Sequence, residues 1–420
     1  MKLRLPIGWC ALLETMVVMS KSLQEIFERK TANAKALWMY PRIDWILRKN
    51  HQLFFFFPYW QIGGGEKVHA DILEVFQDDR SLCFITDHSE NDGFKKSFQA
   101  FADTLELGRW AKKQSFSKIM LKKIAGTINR QEQPVVFGCH SHFFYQLIPY
   151  LAPHVKVVDL IHAFTFDPNG PEIYSLPPVE RINHRVILGE KTRNDFKRLY
   201  QKRAIDPDLL ERFCIIPNKS FVPANAPDKN YNDKLKVLFV ARNAPEKRPE
   251  LFVEIANRCR VENIAAEFAM VGNFAGWKGR VAPNVTLMGE IFEREELNDI
   301  YRKAHLILVT SWREGFPLVM MEGMGHGVVP IATSVGEIPA HISSDTHKNG
   351  FLVPDTLDTH AIVDAFVDHI HRISLDRPRL QEFSHNAYRF AKENFGDERF
   401  IRAYRKLLLG TGALKSYSET

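Results

Sequence analysis

LILVTSWREGFPLVMMEGMGHGVVPIAT, residues 306–333, is the stretch that decides the fold class of this chain. It opens with an apolar run at 306–311, continues with a helical segment at 317–327 and closes on a second apolar run at 328–333. Parallel strands that are covered by helices on both faces have such near-continuous apolar runs. The segment therefore predicts a strand–helix–strand unit of a parallel α/β sheet.

The same alternation of apolar strands and amphipathic helices extends in both directions from this unit. It is interrupted at 221–234, FVPANAPDKNYNDK, which is rich in Pro, Asn and Asp, so we interpret this segment as a linker. We predict two doubly wound, Rossmann-like α/β domains facing across a cleft, with the ligand at the carboxyl ends of the strands. The predicted strands are 53–59, 81–86, 134–139, 156–162, 185–190 and 214–218 before the linker, and 236–242, 267–272 and 285–290 after it.

The expected division of the chain follows from this alternation. A basic extension at 1–51 precedes an N-terminal domain at 52–228 and a C-terminal domain at 229–395. We expect the last segment, 396–420, to form a helix that packs back on the N-terminal domain.

Composition restricts the compartment. The five cysteines among the 420 residues are scattered and form no C-x-x-C pair, which is typical of reduced thiols. The longest apolar stretch, 53–60, is too short to span a bilayer. We therefore expect a cytoplasmic protein.

Positive charge is concentrated in two segments, 1–50 and 109–130. The second is interpreted as a helix with one apolar face, formed by Phe116, Met120, Ile124 and Ile128. Two interpretations stay open: a helix that lies on anionic lipid headgroups at the inner face of the plasma membrane, or an ordinary surface helix with solvated lysines. No nucleic-acid-binding module accompanies the charge, so we expect no nucleic-acid partner.

Two glutamates frame the start of the helix within 306–333. Glu314 precedes the turn Gly315-Phe316-Pro317, and Glu322 lies inside the apolar helix. Proline suits the first turn of a helix, and the N–H groups and positive dipole end there favour an anionic or oxygen-rich ligand. A carboxylate in apolar surroundings needs hydrogen-bond partners, and vicinal ribose hydroxyls are suitable ones.

This segment resembles the E-x7-E motif of retaining glycosyltransferases of the GT-B fold, especially family 4. The downstream GVVPIATSVGEIP, 327–339, fits the same family, and the resemblance covers residues 52–405. It implies that the N-terminal domain binds an acceptor and the C-terminal domain a nucleotide-sugar donor. It also implies that Glu314 contacts the donor sugar and Glu322 the ribose of the nucleotide. The further substrate contacts that it implies are Gly315, Phe316, Pro317 and Leu318.

A second match is VARNAPEKRPELFVEIA, 240–256, which resembles the family's loop after the first strand of the donor domain. The resemblance implies that Arg242 and Lys247 hold the donor diphosphate, where Arg offers bidentate hydrogen bonds and Lys a mobile point charge. The chain departs from the family at Ala241 and Arg248, which replace glycines.

The third match is the glycine run 63–65, which lies between a strand and a helix and lets the backbone approach a phosphate or sugar closely. Val68 excludes the G-x-G-x-x-G dinucleotide fingerprint. The resemblance implies that Gly64 and Gly65 face the donor phosphates and the acceptor.

Three further residues have counterparts in the family. His162, at the end of a strand, corresponds to a histidine near the reacting centre, and Gly289 and Ile291 match the loop whose backbone contacts the nucleobase. The D-x-D sequence at Asp206-Pro207-Asp208 lies in a polar segment that resembles a helix cap. We therefore expect neither a metal nor a cofactor.

The expected activity is retaining, metal-independent transfer of a sugar from a nucleotide-diphosphate sugar to a glycan or lipid-linked acceptor. From the family, we place it in cell-surface polysaccharide or lipopolysaccharide biosynthesis. The alternatives are a nucleotide-sugar 2-epimerase on the same fold and a non-catalytic nucleotide-sugar-binding protein. The first would need acids and bases that the sequence does not show convincingly, and the four key residues Glu314, Glu322, Arg242 and Lys247 disfavour the second.

Overall fold

A computed structural model describes residues 43–108, 114–355 and 358–410. The chain divides into two compact units. The first comprises the described residues up to Ile62 together with Phe76–Val157, and the second comprises Gly63–Val75 together with the described residues from Val158 onward. The helix that follows the first strand therefore belongs to the second unit.

The first unit is built on four parallel strands: β1 (Leu53–Phe57), β2 (Ser81–Ile85), β3 (Asp103–Glu106) and β4 (Val135–Cys139). They lie in the order β3-β2-β1-β4. All five side chains of β1 are buried, and Phe56 stacks on Phe84 with 4.5 Å between ring centroids. Burial on both faces explains the unbroken apolar run. The helices of this unit are 43–48, Lys95–Phe101, Gln114–Ile128 and His142–Leu147.

Helix Gln114–Ile128 contains most of the second basic segment. Met120, Ile124 and Ile128 on its apolar face are fully buried, whereas Lys118 and Lys122 are exposed. This apolar face is therefore occupied by the unit's own core. The rest of the membrane expectation depends on residues that lie outside the described ones, namely 1–42, 109–113 and the side chain of Phe116. The described residues also leave out 411–420, the last part of the expected C-terminal helix segment.

Strands β5 (Lys156–Ile161), β6 (His184–Ile187) and β7 (Phe213–Ile215) are parallel and pair in that order, and from Val158 in β5 onward they belong to the second unit. Its other strands are β8 (Leu235–Val240), β9 (Ala266–Val271), β10 (Val285–Gly289), β11 (Leu306–Val309), β12 (Val329–Thr333) and β13 (Phe351–Val353).

These six strands form one parallel sheet in the order β10-β9-β8-β11-β12-β13. This is the 3-2-1-4-5-6 order of a Rossmann sheet, in which the strand order reverses between β8 and β11 and a ligand binds outside their carboxyl ends. The predicted fold class of parallel, Rossmann-like α/β sheets is confirmed.

Nine α-helices in the described residues complete this unit. None of the helices in the described ranges has both the length and the apolar character needed to cross a bilayer. The helices of the second unit are Gly64–Val75, Pro171–Tyr174, Glu190–Arg203, Pro249–Val261, Arg294–Lys303, Leu318–Gly325, Thr359–Leu375, Arg377–Asn394 and Asp397–Leu409.

Helix Asp397–Leu409 contacts helix Gly64–Val75. Arg405 donates from Nη1 to the carbonyl oxygen of Val75 at 3.0 Å. Lys219 Nζ lies 2.7 Å from a carboxylate oxygen of Glu74 and 3.1 Å from one of Asp397. A buried lysine therefore links the two helices by ion pairs.

Candidate active site

The loop after β8 and the loop after β11 meet at the point where the strand order reverses. The amide of Trp312 donates to the carbonyl oxygen of Glu246 at 3.1 Å. The hydroxyl of Thr310 donates to the carbonyl oxygen of Lys247 at 2.7 Å. These bonds fix the two loops against each other at the carboxyl ends of β8 and β11, where a ligand binds in such a sheet.

Lys247 and Glu314 form an ion pair at the centre of this region. Lys247 Nζ lies 2.6 Å from Glu314 Oε1, and the Glu314 side chain is only 9% exposed. The hydroxyl of Ser311 donates to the same oxygen at 2.6 Å. Two donors therefore hold the Glu314 carboxylate in one orientation.

Arg248 occupies the position at which the resemblance leads one to expect glycine. Its backbone is left-handed, with φ 49° and ψ 56°, a conformation that favours glycine. Its guanidinium donates to the carbonyl oxygens of Thr310 and Ser311 and, at 2.9 Å, to Asp355. The side chain thus offsets the unfavourable backbone by bonding the loop after β11. Arg242, in contrast, is 71% exposed, with Nη2 3.6 Å from Glu246.

Gly315 lies directly against the backbone of His162. A Cβ atom on Gly315 would come 2.3 Å from the carbonyl oxygen of His162. From the other side Gly336, at φ +58°, approaches so closely that its Cβ would lie 2.1 Å from the carbonyl oxygen of Glu314. The amide of Glu337 donates to the carbonyl oxygen of Gly315 at 2.8 Å. The segment Glu314–Gly315 is therefore clamped between two backbone segments that leave no room for a side chain.

The helix after this turn runs from Leu318 to Gly325, and Pro317 is its N-cap residue. Its first amide groups have no partner within the helix. The ring of Phe316 is buried and packs 4.3 Å from the His341 ring, measured between centroids. Phe316 is one of the predicted substrate contacts in this turn. Because its ring is buried, only its main chain is left to contact a ligand at the start of the helix.

Glu322 lies one turn into this helix and is half-buried. Tyr301, which is fully buried, donates from its hydroxyl to Glu322 Oε2 at 3.3 Å. Burial raises the pKa of the Glu322 carboxyl, while the positive charges of Lys67 and Arg294 act to lower it. Within the described part of the chain, this carboxylate therefore accepts from Tyr301 and is acted on by two positive charges.

A second helix begins at the same place. In helix Gly64–Val75, a Cβ on Gly64 would lie 3.7 Å from Leu318 Cδ1, and one on Gly65 would lie 3.6 Å from His162 Nε2. His162 Nε2 is also 3.1 Å from His69 Nε2, so one imidazole donates to the other. Two helix N-termini, each the positive end of a dipole, thus converge near His162.

Gly289 and Ile291 lie further from this group. Gly289 ends the edge strand β10, two strands from β8, with φ +77°, and its carbonyl oxygen accepts from the amide of Gly272 at 2.8 Å. The structure therefore brings the glutamates, Lys247, His162 and the two glycines together, and places the predicted nucleobase loop at the periphery.

Glu337 is a residue that the sequence analysis did not single out. It is buried, and its carboxylate accepts from the amide of Lys191 at 3.2 Å and from the amide and hydroxyl of Thr192 at 2.8 and 2.7 Å. A carboxylate at a helix N-terminus is stabilised by the dipole of helix Glu190–Arg203. The sequence pattern that could have drawn attention to Glu337 is Val335-Gly336-Glu337, in which a glycine directly precedes the acidic residue.

The D-x-D sequence has a structural role. Asp206 accepts from the amide of Asp208 at 2.9 Å and caps the 3₁₀ helix Pro207–Arg212. This agrees with the helix cap indicated by the sequence. The expectation of a site without metal or cofactor stays a prediction.

Comparison with known proteins gives the family. A sequence model described as "Glycosyl transferases group 1" matches residues 234–373. The D-inositol 3-phosphate glycosyltransferase of Streptomyces bingchenggensis is 32% identical over 323 residues, which is 66% of this chain and 68% of the relative. The lipopolysaccharide core biosynthesis mannosyltransferase LpsB of Rhizobium meliloti is 30% identical over 159 residues, 37% of this chain.

The alignment with LpsB spans 42% of that relative, less than half of its length. Among solved structures, Anabaena Alr3699/HepE in complex with UDP superposes with a TM-score of 0.66 at 13% identity, covering 86% of this chain and all of that one. This likeness shows the GT-B fold. The chain belongs to the glycosyl transferases group 1 family.

Proposed function

We propose that this chain transfers a sugar from a nucleotide-diphosphate sugar to a glycan or lipid-linked acceptor, with retention and without a metal. The observation that carries the proposal is the Lys247–Glu314 ion pair beside two converging helix N-termini. LpsB is by name a lipopolysaccharide core mannosyltransferase, and HepE binds UDP. These relatives support a nucleotide-sugar donor and a role in cell-surface polysaccharide or lipopolysaccharide synthesis.

The donor diphosphate lies between the cations and the helix N-termini. Lys247 and the exposed Arg242 contribute positive charge, and the amides at Gly64, Gly65 and Leu318 contribute N–H donors at dipole ends. Negative charge grows on the leaving phosphate as the glycosidic bond breaks. Preorganised donors aimed at that charge lower the barrier and replace a metal in this role.

The two glutamates orient the rest of the donor. Glu322 accepts from the ribose hydroxyls, which add to its one tyrosine donor and so satisfy a half-buried carboxylate. Glu314 contacts the hydroxyls of the transferred sugar. His162, beside Gly65 and Gly315, lies near the anomeric carbon.

The reaction that we propose is front-face substitution. Lys247 and Ser311 engage the Glu314 carboxylate, so it serves as an orienting acceptor and not as a nucleophile. The bond from the anomeric carbon to the phosphate oxygen breaks while the acceptor oxygen bonds to the same face. The acceptor's proton passes to an oxygen of the departing phosphate, so no covalent enzyme intermediate forms.

Proton NMR of the purified chain with UDP-, GDP-, ADP- and TDP-sugars, in EDTA, tests this proposal. We expect one donor to be consumed and the anomeric coupling of the product to match that of the donor. Glu322→Gln should weaken donor use, whereas the exposed Glu296→Gln on helix Arg294–Lys303 should not. Conversion of the donor to its epimer without an acceptor would establish the epimerase instead, and saturable donor binding without any turnover would establish a binding protein.

A further inference from the structure

The loop that follows His162 presents an aromatic ring that lies mostly in solvent. Phe166 is 69% exposed and has a left-handed backbone, with φ 58°. That conformation is uncommon for a bulky residue, and residues in such conformations cluster at functional sites. Burial does not explain the ring, because most of its surface is in solvent.

The backbone on either side of Phe166 is held firmly. Thr165 donates from its amide and its hydroxyl to Glu172 Oε1 at 3.0 and 2.7 Å, and Glu172 is completely buried. On the other side, the amide of Asn169 donates to Asp167 Oδ1 at 2.8 Å. The ring is therefore presented by a loop with fixed anchors.

This loop is bonded to the segment that carries Glu314. Arg313 donates from Nη1 to the carbonyl oxygen of Thr165 at 3.0 Å. Trp312, the residue before Arg313, is 48% exposed. Two exposed aromatic residues, Phe166 and Trp312, are thus each one position away from the same hydrogen bond, next to the proposed reaction centre.

We propose that Phe166 and Trp312 form the acceptor subsite, on which a pyranose ring of a saccharide acceptor stacks. This inference rests on the proposed function. The C–H face of a pyranose is apolar and its edges carry hydroxyls, so an aromatic ring can contact the face while the edges remain hydrated. Lys191 Nζ lies over the Phe166 ring, 5.4 Å from its centroid, and the Phe164 ring packs against it with 4.8 Å between centroids, so the pyranose contacts the large part of the ring that stays in solvent.

The position of this subsite identifies the sugar that it binds as the acceptor. The loop begins at His162, whose carbonyl oxygen touches Gly315 and whose imidazole lies beside Gly65, at the helix N-termini to which the donor diphosphate is assigned. A sugar held on Phe166 and Trp312 therefore presents a hydroxyl towards the anomeric carbon.

Saturation-transfer difference NMR with methyl pyranosides of the gluco, manno, galacto and N-acetylgluco series, in the presence of UDP, tests the subsite. We expect ring protons of at least one pyranoside to receive saturation. Phe166→Asn removes the ring while keeping a residue that tolerates the left-handed backbone. It should raise the Kd of that pyranoside about tenfold, as loss of one aromatic contact predicts.

Phe166→Tyr should restore binding because it keeps the ring, and Trp312→Ala should act like Phe166→Asn. Leu375→Ala, at a residue that is 77% exposed at the end of helix Thr359–Leu375, is the control and should change nothing. Unchanged pyranoside binding in Phe166→Asn and Trp312→Ala, or no saturation of any pyranoside by the unmodified protein, would overturn the subsite. Failure of the donor assignment has a different readout, since the protein would then show no thermal shift with any nucleotide sugar.

Discussion

Gly315→Ala is the substitution whose effect can be worked out most directly from the geometry. The added Cβ would lie 2.3 Å from the carbonyl oxygen of His162 and 3.3 Å from Leu188 Cδ1. Non-bonded heavy atoms settle at roughly 3.5 Å, so the two backbone segments must separate by about 1 Å. The severe clash is with the backbone of His162, so movement of the Leu188 side chain alone cannot relieve it.

The displacement falls on the residue next to Glu314. A misplacement of about 1 Å in a catalytic group lowers turnover on the order of a hundredfold. Overpacking at such a site also destabilises the fold by about 1–3 kcal/mol. We therefore expect Gly315→Ala to fold, with a modestly lower Tm, and to lose most of its turnover of the donor.

The assay is release of nucleoside diphosphate under saturating donor, measured beside Tm. Gly276→Ala is the matched control, because a Cβ there meets nothing within 4 Å. It should leave both turnover and Tm unchanged. Normal turnover in Gly315→Ala would refute the assignment of the Glu314–Gly315 segment to the reaction centre.

Three further changes have defined outcomes. Lys247→Met removes the partner of Glu314 and should lower turnover on the order of a hundredfold at saturating donor, as loss of one electrostatic donor does. Lys219→Met should lower the free energy of unfolding by about 1–2 kcal/mol, and Tm with it, because Glu74 and Asp397 lose their shared cation. Burial lowers the pKa of His341 to about 4, so the unfolded chain binds more protons than the folded chain between pH 6.5 and 4. The stability of the folded chain should therefore fall as the pH drops through that window. His341→Phe should reduce this loss, as measured by Tm values over a pH series.

Each of these has a contradicting result, and the first also has a control. Lys278→Met removes an exposed lysine and should keep full turnover; equal activity of Lys247→Met would contradict the diphosphate assignment. A Tm for Lys219→Met equal to that of the unmodified chain would mean that the link between the two helices is not stabilising. An unchanged acid-dependence of Tm in His341→Phe would show that another group causes it.

The apolar strands could be predicted from sequence because burial on both faces of a strand produces an unbroken run of apolar residues. LFFFF at 53–57 and LILV at 306–309 are strands for that reason. Strand β3 was not predicted, because DTLE at 103–106 is short and polar and lies at the sheet edge. The order of the strands in a sheet depends on pairing between segments that are far apart in the chain. No local sequence pattern specifies that pairing.

The site was predicted in part, for a similar reason. Glu314, Glu322 and Lys247 have recognisable spacing in the chain, so a motif locates them. The buried role of Glu337, the left-handed backbone of Arg248 and the exposure of Phe166 depend on contacts between segments far apart in sequence. Such contacts follow from tertiary packing and leave no local pattern.

A thermal-shift titration with the four nucleotide sugars in EDTA, on the unmodified chain, Glu322→Ala and Glu296→Ala, tests whether helix Leu318–Gly325 holds the donor. We expect one donor to raise Tm in a concentration-dependent way, as ligand binding to the folded state requires. The shift should persist in Glu296→Ala and disappear in Glu322→Ala. An equal shift in Glu322→Ala, or no shift with any donor in the folded protein, would contradict the claim that this helix holds the donor.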